Sequence, residues 1–326
     1  KVMYYKNQVV PVNLFSFDFL RYYWITMRPY LLFVSGITGI VGLSFTPLLS
    51  IFTTTVLFLT FFLSYGFGQA LTDCFQIDTD SLSSPYRPLV QGIVTPKSIG
   101  MVSVIGLILI TSSLIYLNIY NLLFGLLSIT GLATYTYFKK NFWYAGPFYN
   151  GWIVMLLSVM GYFSMSECQL QCLLHHSLIQ LALMSLFSYS FFVVIGYLKD
   201  ISADRATNYK TFPVVHGWNK TVIFGDAVAI MGFTMCYLLI ESFNYISLAV
   251  YILAIIVALS GQLYLHFTIE KTETNATYSI ISTVRTFILL HLAVVLNYRE
   301  SWWIFVLIFY ICFEIVLYNR PNKRQI

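Results

Sequence analysis

An all-α bundle of nine or ten membrane-spanning helices is predicted by three features of the 326-residue sequence: its apolarity, its scarcity of charge and the length of its apolar runs. Hydrophobic residues make up 58% of the chain and charged residues 10%, with a mean hydropathy of +0.76, whereas an ordinary soluble domain carries about 25% charged residues. Ten apolar stretches of roughly 20 residues, the length that crosses a ~30 Å hydrocarbon core, read as 29–48, 49–72, 97–118, 119–138, 145–165, 175–198, 218–240, 243–268, 277–297 and 301–318. A water-soluble globular protein is thereby excluded. The net charge of +5 is spread over short connections instead of forming a basic stripe, which argues against nucleic acid as a partner.

Residues 11–27 mix aromatics with Asp18 and Arg21 as a helix lying in the interface does, so 1–28 is expected to precede the first span at Arg28-Pro29. Pro47, Pro96, Pro147 and Pro213 fall near span ends, where proline costs a helix little. The count stands between nine and ten because 277–297 contains Arg285 and His291. Alternating connections place Arg87, Lys97, Lys139, Lys140, Lys199, Arg205, Lys210, Lys220 and Lys271 on one face and only Arg299 clearly on the other, so the rich face is expected to be cytoplasmic. Residues 29–318 read as a single transmembrane domain and 319–326 as a basic tail. The five cysteines are expected to be free thiols, and the run SECQLQCLLHH has no established metal-ligand spacing, so it reads as a plain connection. Asp226, Arg285 and Glu314 lie within apolar segments and are expected either near the interface or paired internally, and His216 and His266 read as helix-end residues.

Two acidic clusters stand out on the basic face. In TDCFQIDTDSLSSPYRPLVQG, residues 72–92, Asp73, Gln76 and Asp80 are spaced i, i+3, i+7, so a continuing helix would carry them on one face over about 10 Å, with Asp78 off that stripe. In KDISADRATNYKTFPVVHG, residues 199–217, Asp200 and Asp204 lie one helical turn apart. Gathering five carboxylates at one end of an otherwise nearly uncharged bundle is unfavourable unless cations offset them. Hard oxygen ligands suit Mg²⁺, which takes one or two carboxylates and completes its shell with water and phosphate oxygens. Arg87, Lys139, Arg205 and Lys210 are available on the same face for the remaining anionic oxygens. Either cluster alone is what a solvated connection looks like; two on one face, with basic residues nearby, point to a diphosphate site.

These residues resemble the motifs of the UbiA superfamily of intramembrane prenyltransferases. The first cluster is similar to the family's NDxxDxxxD motif, continuing through Pro85-Tyr86-Arg87-Pro88 and Gly92. The second is similar to its DxxxD motif and trailing segment, through Asp200, Asp204, Arg205, Lys210, Thr211, Pro213 and Gly217. Tyr135-x-x-x-Lys139, Gly146-Pro147 and Asn150 match the element between them, and Arg28-Pro29 the opening of its first helix. Two departures are Thr72 in place of the motif's Asn and Gln76 in place of its middle Asp, the latter a neutral oxygen where the family has a carboxylate.

The resemblance implies a UbiA-like bundle in which Mg²⁺ bridges the two motifs and a prenyl diphosphate, with the prenyl tail in an apolar tunnel open to membrane lipids. Asp73, Asp80, Asp200 and Asp204 are the expected metal ligands, with Gln76 and Asp78 as auxiliaries. Arg87, Lys139, Arg205 and Lys210 are expected to bind diphosphate, and Tyr135 to donate a hydrogen bond to it. The implied reaction is Mg²⁺-dependent transfer of the prenyl group to a lipophilic aromatic or lipid acceptor. A terpene cyclase of the same superfamily, or a transporter or lipid-binding pseudoenzyme, are the alternatives the sequence leaves open.

Overall fold

Capping residues and prolines fix where each helix begins. The computed structural model describes residues 10–47, 49–164 and 168–320; residues 1–9 of the expected N-terminal segment and 321–326 of the expected basic tail lie outside the described residues. Ser16 caps α1 (Phe17–Thr26) by accepting the Phe19 amide at 3.1 Å. A residue before proline is disfavoured in the right-handed helical region. Arg28 instead takes φ 54, a 3-10 turn spans Pro29–Leu31, and α2 (Leu32–Leu43) leaves at 57° to α1. Ser50 caps α3 (Ile51–Asp73), which breaks and resumes as the short α4 (Ile77–Ser83). Thr95 caps α5 (Pro96–Ile115), with Pro96 at its first position, where the missing N–H costs nothing.

Beyond it come α6 (Asn121–Asn141), α7 (Ala145–Tyr162) and α8 (His176–Gly196). The last of these runs through a 3-10 turn, Tyr197–Lys199, into α9 (Ile201–Ala206). Then α10 (Phe212–His216) ends at Gly217, whose φ of 78 admits glycine most readily. Finally come α11 (Trp218–Leu239), α12 (Tyr245–Phe267), capped by Asn244, α13 (Ala276–Tyr298) and α14 (Trp303–Tyr318).

Every predicted apolar stretch is therefore helical, and α1 stands where an interfacial helix was expected. The count of nine or ten spans is larger than the helices support: seven of those described are long and apolar enough to cross a membrane, or eight if α1 and the bent segment after it act as one. The difference has a structural origin. Helix α2 has only 12 residues, and α6 and α7 turn Gly125, Ser128 and Asn150 towards an internal cavity.

Helix α13 is buried along most of its length and forms the centre. Helices α8 and α12 pack on it, α11 on α8, α7 on α8, α2 on α3 and α7, α5 on α3, and α6 on α7. The ionisable residues inside apolar segments are paired. Arg285 grips Glu314 through two bonds of 2.7 Å, and Asp226 accepts from Gln262 at 2.7 Å and contacts His266 Nε2 at 2.7 Å. Contrary to the expectation of free thiols throughout, Cys168 and Cys172 form a disulfide; Cys74, Cys236 and Cys312 are free. Four residues apart in the chain, they are brought to a Cα separation of 5.9 Å by the turn that begins at Leu170, a separation a disulfide can bridge.

The approach of α2 to α7 is close enough to require glycine. A Cβ at Gly161 would fall on the Gly39 carbonyl oxygen, and one at Gly42 on the Ser158 carbonyl oxygen. Gly161→Ala is expected to force these helices apart at a cost of about 1–3 kcal/mol. A lowered apparent Tm in detergent checks this, and an unchanged Tm contradicts it.

Candidate active site

The two acidic motifs occupy equivalent places, each just past the end of a long helix, and fold back towards one another. At the end of α3, three successive i to i+3 bonds (Cys74 to Leu71, Phe75 to Thr72, Gln76 to Asp73, at 3.0–3.3 Å) tighten the last turn. The continuous helix expected through 72–80 is thus interrupted. Helix α4 then restarts with the Asp80 amide donating to the Gln76 carbonyl at 2.9 Å, so Gln76 and Asp80 still share a face. Helix α9 carries Asp204 opposite, and the hydroxyls of Thr79 and Thr207 join the two short helices at 3.1 Å. After α4 the chain turns between Ser84 and Arg87, where the Arg87 amide donates to the Ser84 carbonyl at 3.1 Å, and this brings Arg87 back over Asp80; it turns again at Gly92, with φ 73.

Asp73 is buried and saturated: Arg28 Nη2 reaches both its oxygens at 2.8 and 3.0 Å, Gln69 Nε2 donates at 2.6 Å, and Arg87 Nη1 lies at 3.8 Å. Asp80 is paired with Arg87. Asp200 meets Lys199 at 3.2 Å. Asp204 is fully buried; its Oδ2 accepts from Thr211 at 3.0 Å, while its Oδ1 accepts no hydrogen bond and lies 3.7 Å from Lys139 Nζ. Lys139 also points its ammonium at Gln76 Oε1, 3.5 Å away, and lies over the Tyr197 and Tyr209 rings at 5.2 and 5.0 Å.

Four carboxylates are thus matched by four cations, Arg28, Arg87, Lys139 and Lys199. Burial pushes the Asp80 and Asp204 carboxyls above their ordinary values, against the pull of Arg87 and Lys139 respectively. Burial also opposes ionisation of Asp200, but Lys199 and Lys139 overcome it and hold its carboxyl below the usual range.

One cavity gathers these groups. Gln76, Asp80, Arg87, Tyr135, Lys139 and Asp200 line it, while Asp73 and Asp204 stand in the adjoining wall, tied to Arg87 and Lys139. Three predicted residues are placed elsewhere. Asp78 is about 200° around α4 from both Gln76 and Asp80 at 100° per residue and turns outwards to Lys140 at 3.3 Å and the Tyr209 hydroxyl at 3.4 Å. Arg205 follows inward-facing Asp204 and is exposed, as is Lys210, which follows buried Tyr209. Below the charged rim the cavity is crossed by two tyrosine pairs, Tyr135–Tyr197 at 3.0 Å and Tyr65–Tyr189 at 2.7 Å between hydroxyls. Beneath these it continues as an apolar arm between α3, α5, α6 and α7.

Arg28, Gln69, Lys199 and the tyrosines at 65, 189 and 197 belong to this arrangement without having been assigned to it from the sequence. Gln69 could have been found one turn before Asp73, and Lys199 beside Asp200. Nothing in the sequence separates these tyrosines from the other members of a set of 25.

Whether the donors suit Mg²⁺ can be judged from their chemistry. Among the described residues no three His, Cys, Asp or Glu side chains converge as a ready-made cage. Mg²⁺ asks for fewer, because one or two carboxylates suffice when phosphate and water complete its shell. Hard oxygens face the cavity from both motifs, and Asp204 Oδ1 is a buried carboxylate oxygen with no hydrogen-bond donor. The residues present fit the ion.

A charged rim over an apolar arm, within a helical bundle, defines a membrane-embedded site for an amphiphile with an anionic head. The chain belongs to the UbiA prenyltransferase family, whose sequence model matches residues 32–284. It is similar to digeranylgeranylglyceryl phosphate synthase of Thermococcus kodakarensis, 25% identical over 225 residues, covering 66% of this chain and 76% of that protein. The same holds for the synthase of Saccharolobus solfataricus, 25% identical over 223 residues, covering 67% and 76%. Among solved structures, a UbiA homolog from Aeropyrum pernix K1 superimposes with a TM-score of 0.65 at 17% identity, covering 78% of this chain and 94% of that one. A homolog from Archaeoglobus fulgidus bound to DMAPP and Mg²⁺ gives 0.62 at 17% identity, covering 84% and 98%. At such identities the structural likeness establishes the shared fold.

Proposed function

We propose that the chain is a Mg²⁺-dependent intramembrane prenyltransferase that moves a prenyl group from its diphosphate to a lipophilic acceptor. The observation that carries this reading is the opposition of Asp80 and Asp200, with Arg87 and Lys139 beside them, directly above an apolar arm. Asp80, Asp200 and Asp204 would hold the metal, with Gln76 contributing a neutral oxygen, and Asp73 would act mainly through Arg28 and Arg87. Bound there, Mg²⁺ supplies Lewis-acid stabilisation of the charge that develops on the diphosphate.

Arg87 and Lys139 bind the diphosphate oxygens in a site whose cations are already oriented by carboxylates, so little reorganisation is needed as the C1–O bond breaks. Both electrons of that bond leave with diphosphate. The allylic carbon becomes cationic beside the Tyr135, Tyr197, Tyr65 and Tyr189 rings, whose faces attract positive charge, while the arm below excludes water. The acceptor's nucleophilic atom then forms the new bond to C1, and its proton passes to the diphosphate at the polar rim. The names of the similar archaeal synthases favour an isoprenyl glycerophosphate as the acceptor class. The concentration of basic residues at the rim end favours a cytoplasmic location for it.

The test is product analysis with purified protein, Mg²⁺, geranylgeranyl diphosphate and a geranylgeranylglyceryl phosphate acceptor. A doubly prenylated lipid formed with stoichiometric diphosphate is expected, and chelation with EDTA is expected to abolish it. A cyclised hydrocarbon or alcohol formed without acceptor would show a terpene cyclase instead, and no diphosphate release from any prenyl donor would contradict catalysis.

A further inference from the structure

Asp200 stands at the N-cap of α9, yet its side chain caps nothing. An aspartate at this position ordinarily accepts from the backbone amide two or three residues on, here that of Ser202 or Ala203. Such a cap usually has an extended backbone. Asp200 instead leaves the 3-10 turn before it at φ −117, ψ 13, its amide donating to the Tyr197 carbonyl at 3.2 Å. Its carboxylate is left to line the cavity, where it meets Lys199. Gln76 stands in the same way before α4, at φ −120, ψ 19, making no cap bond and lining the cavity.

The Ser202 amide is taken by a residue 71 positions on: Glu273 Oε1 accepts from it. Glu273 opens a 3-10 turn, Glu273–Asn275, that leads directly into α13. The connection is braced there, the Asn275 amide donating to the Thr272 carbonyl at 3.0 Å and the Asn275 side chain to the Glu270 carbonyl at 2.8 Å. Glu273 itself stands outside the cavity. We infer that Glu273 is a positioning residue: it supplies the cap that Asp200 would otherwise supply, and so keeps the Asp200 carboxylate turned to the cavity. Without Glu273, the aspartate placed by sequence to take the Ser202 amide is Asp200, and a carboxylate drawn onto that amide is lost to a metal. The inference rests on the reading of Asp200 as a Mg²⁺ ligand and adds to it how that ligand is held free.

The test titrates Mn²⁺, which oxygen ligands also suit, into metal-free purified protein and follows the free ion by electron paramagnetic resonance. Glu273→Gln keeps an acceptor oxygen while losing the charge, and is expected to bind Mn²⁺ within about threefold of the wild type. Glu273→Ala removes the acceptor and is expected to bind at least about tenfold more weakly, the usual loss when a residue that orients a metal ligand is removed. With Asp200→Ala already present, Glu273→Ala is expected to weaken binding no further, because the carboxylate it acts through is gone. Size-exclusion profile and apparent Tm report folding. If Glu273→Ala does not fold, Glu273→Asp, one methylene shorter, takes its place, with a loss of at least about threefold expected. A folded Glu273→Ala that binds Mn²⁺ like the wild type, a Glu273→Gln as weak as Glu273→Ala, or the same fold loss with Asp200 already removed overturns the positioning role and leaves the metal site in place. Failure of the wild type to bind Mn²⁺ overturns the metal reading and the inference together.

Discussion

Asp200→Ala is expected to lower diphosphate release from a prenyl diphosphate by about 100-fold or more at saturating Mg²⁺, comparable to removing one preorganised charge-stabilising group from an active site. Asp200 lines the cavity and is held ionised by Lys199 and Lys139 despite its burial, so it is the carboxylate best prepared to accept a hard cation. Its loss would also leave Lys199 without its partner at 3.2 Å. Because that pair is partly solvated, with both side chains under one-fifth exposed, the variant is expected to remain folded, its apparent Tm close to that of the wild type. Asp200→Asn keeps the shape and removes the charge, and is expected to be nearly as inactive. Activity within a few-fold of wild type in both variants would remove Asp200 from the site.

Arg28→Ala is expected to have the largest effect on stability. Arg28, half-buried, reaches both oxygens of buried Asp73, and removing one member of a pair of this kind typically costs about 3–5 kcal/mol because the buried charge left behind loses its closest partner. The residue adopts a left-handed φ of 54, uncommon for a side chain of this size, at the break between α1 and the 3-10 turn before α2. The backbone there is shaped to deliver the guanidinium. An apparent Tm lowered by on the order of 10 °C is expected, and the double variant Arg28→Ala, Asp73→Ala is expected to be more stable than Arg28→Ala alone. Equal stability of the single and double variants would mean that Asp73 is not strained by the loss of its partner.

Most of the bundle was legible because apolar runs of membrane length leave few alternatives: α3, α5, α8, α11, α12, α13 and α14 all lie where hydropathy placed them. The expected count exceeds what the helices support at α2, which has only 12 residues, and at α6 and α7, which carry polar residues into the cavity along one face. Spacing put Asp73, Gln76 and Asp80 on one face of a continuing helix with Asp78 off it; 3-10 bonding after Asp73, which the residue pattern does not announce, breaks that helix, so only Gln76 and Asp80 share the face and Asp73 stands in the adjoining wall. Arg205 and Lys210 were grouped with the site because they share its basic face and match the segment trailing the second acidic motif; in the structure Arg205 is turned about 100° from Asp204 on α9, and Lys210 lies in the connection after it, both exposed. The pairing of Arg28 with Asp73 spans 45 positions and depends on how α1 meets the end of α3. The tyrosine pairs join α3 to α8 and α6 to the turn after α8, and such contacts are set by packing, which one sequence does not reveal.

Diphosphate release followed as Mg²⁺ is titrated into metal-stripped wild-type protein and Asp200→Ala, with geranylgeranyl diphosphate and acceptor present, tests the central claim most directly. Release is predicted to rise from background to saturation with Mg²⁺ in the wild type, to vanish again with EDTA, and to stay near background at every Mg²⁺ concentration in the variant. Release that ignores Mg²⁺, or that survives unchanged in Asp200→Ala, would contradict a metal-held diphosphate between the two acidic motifs.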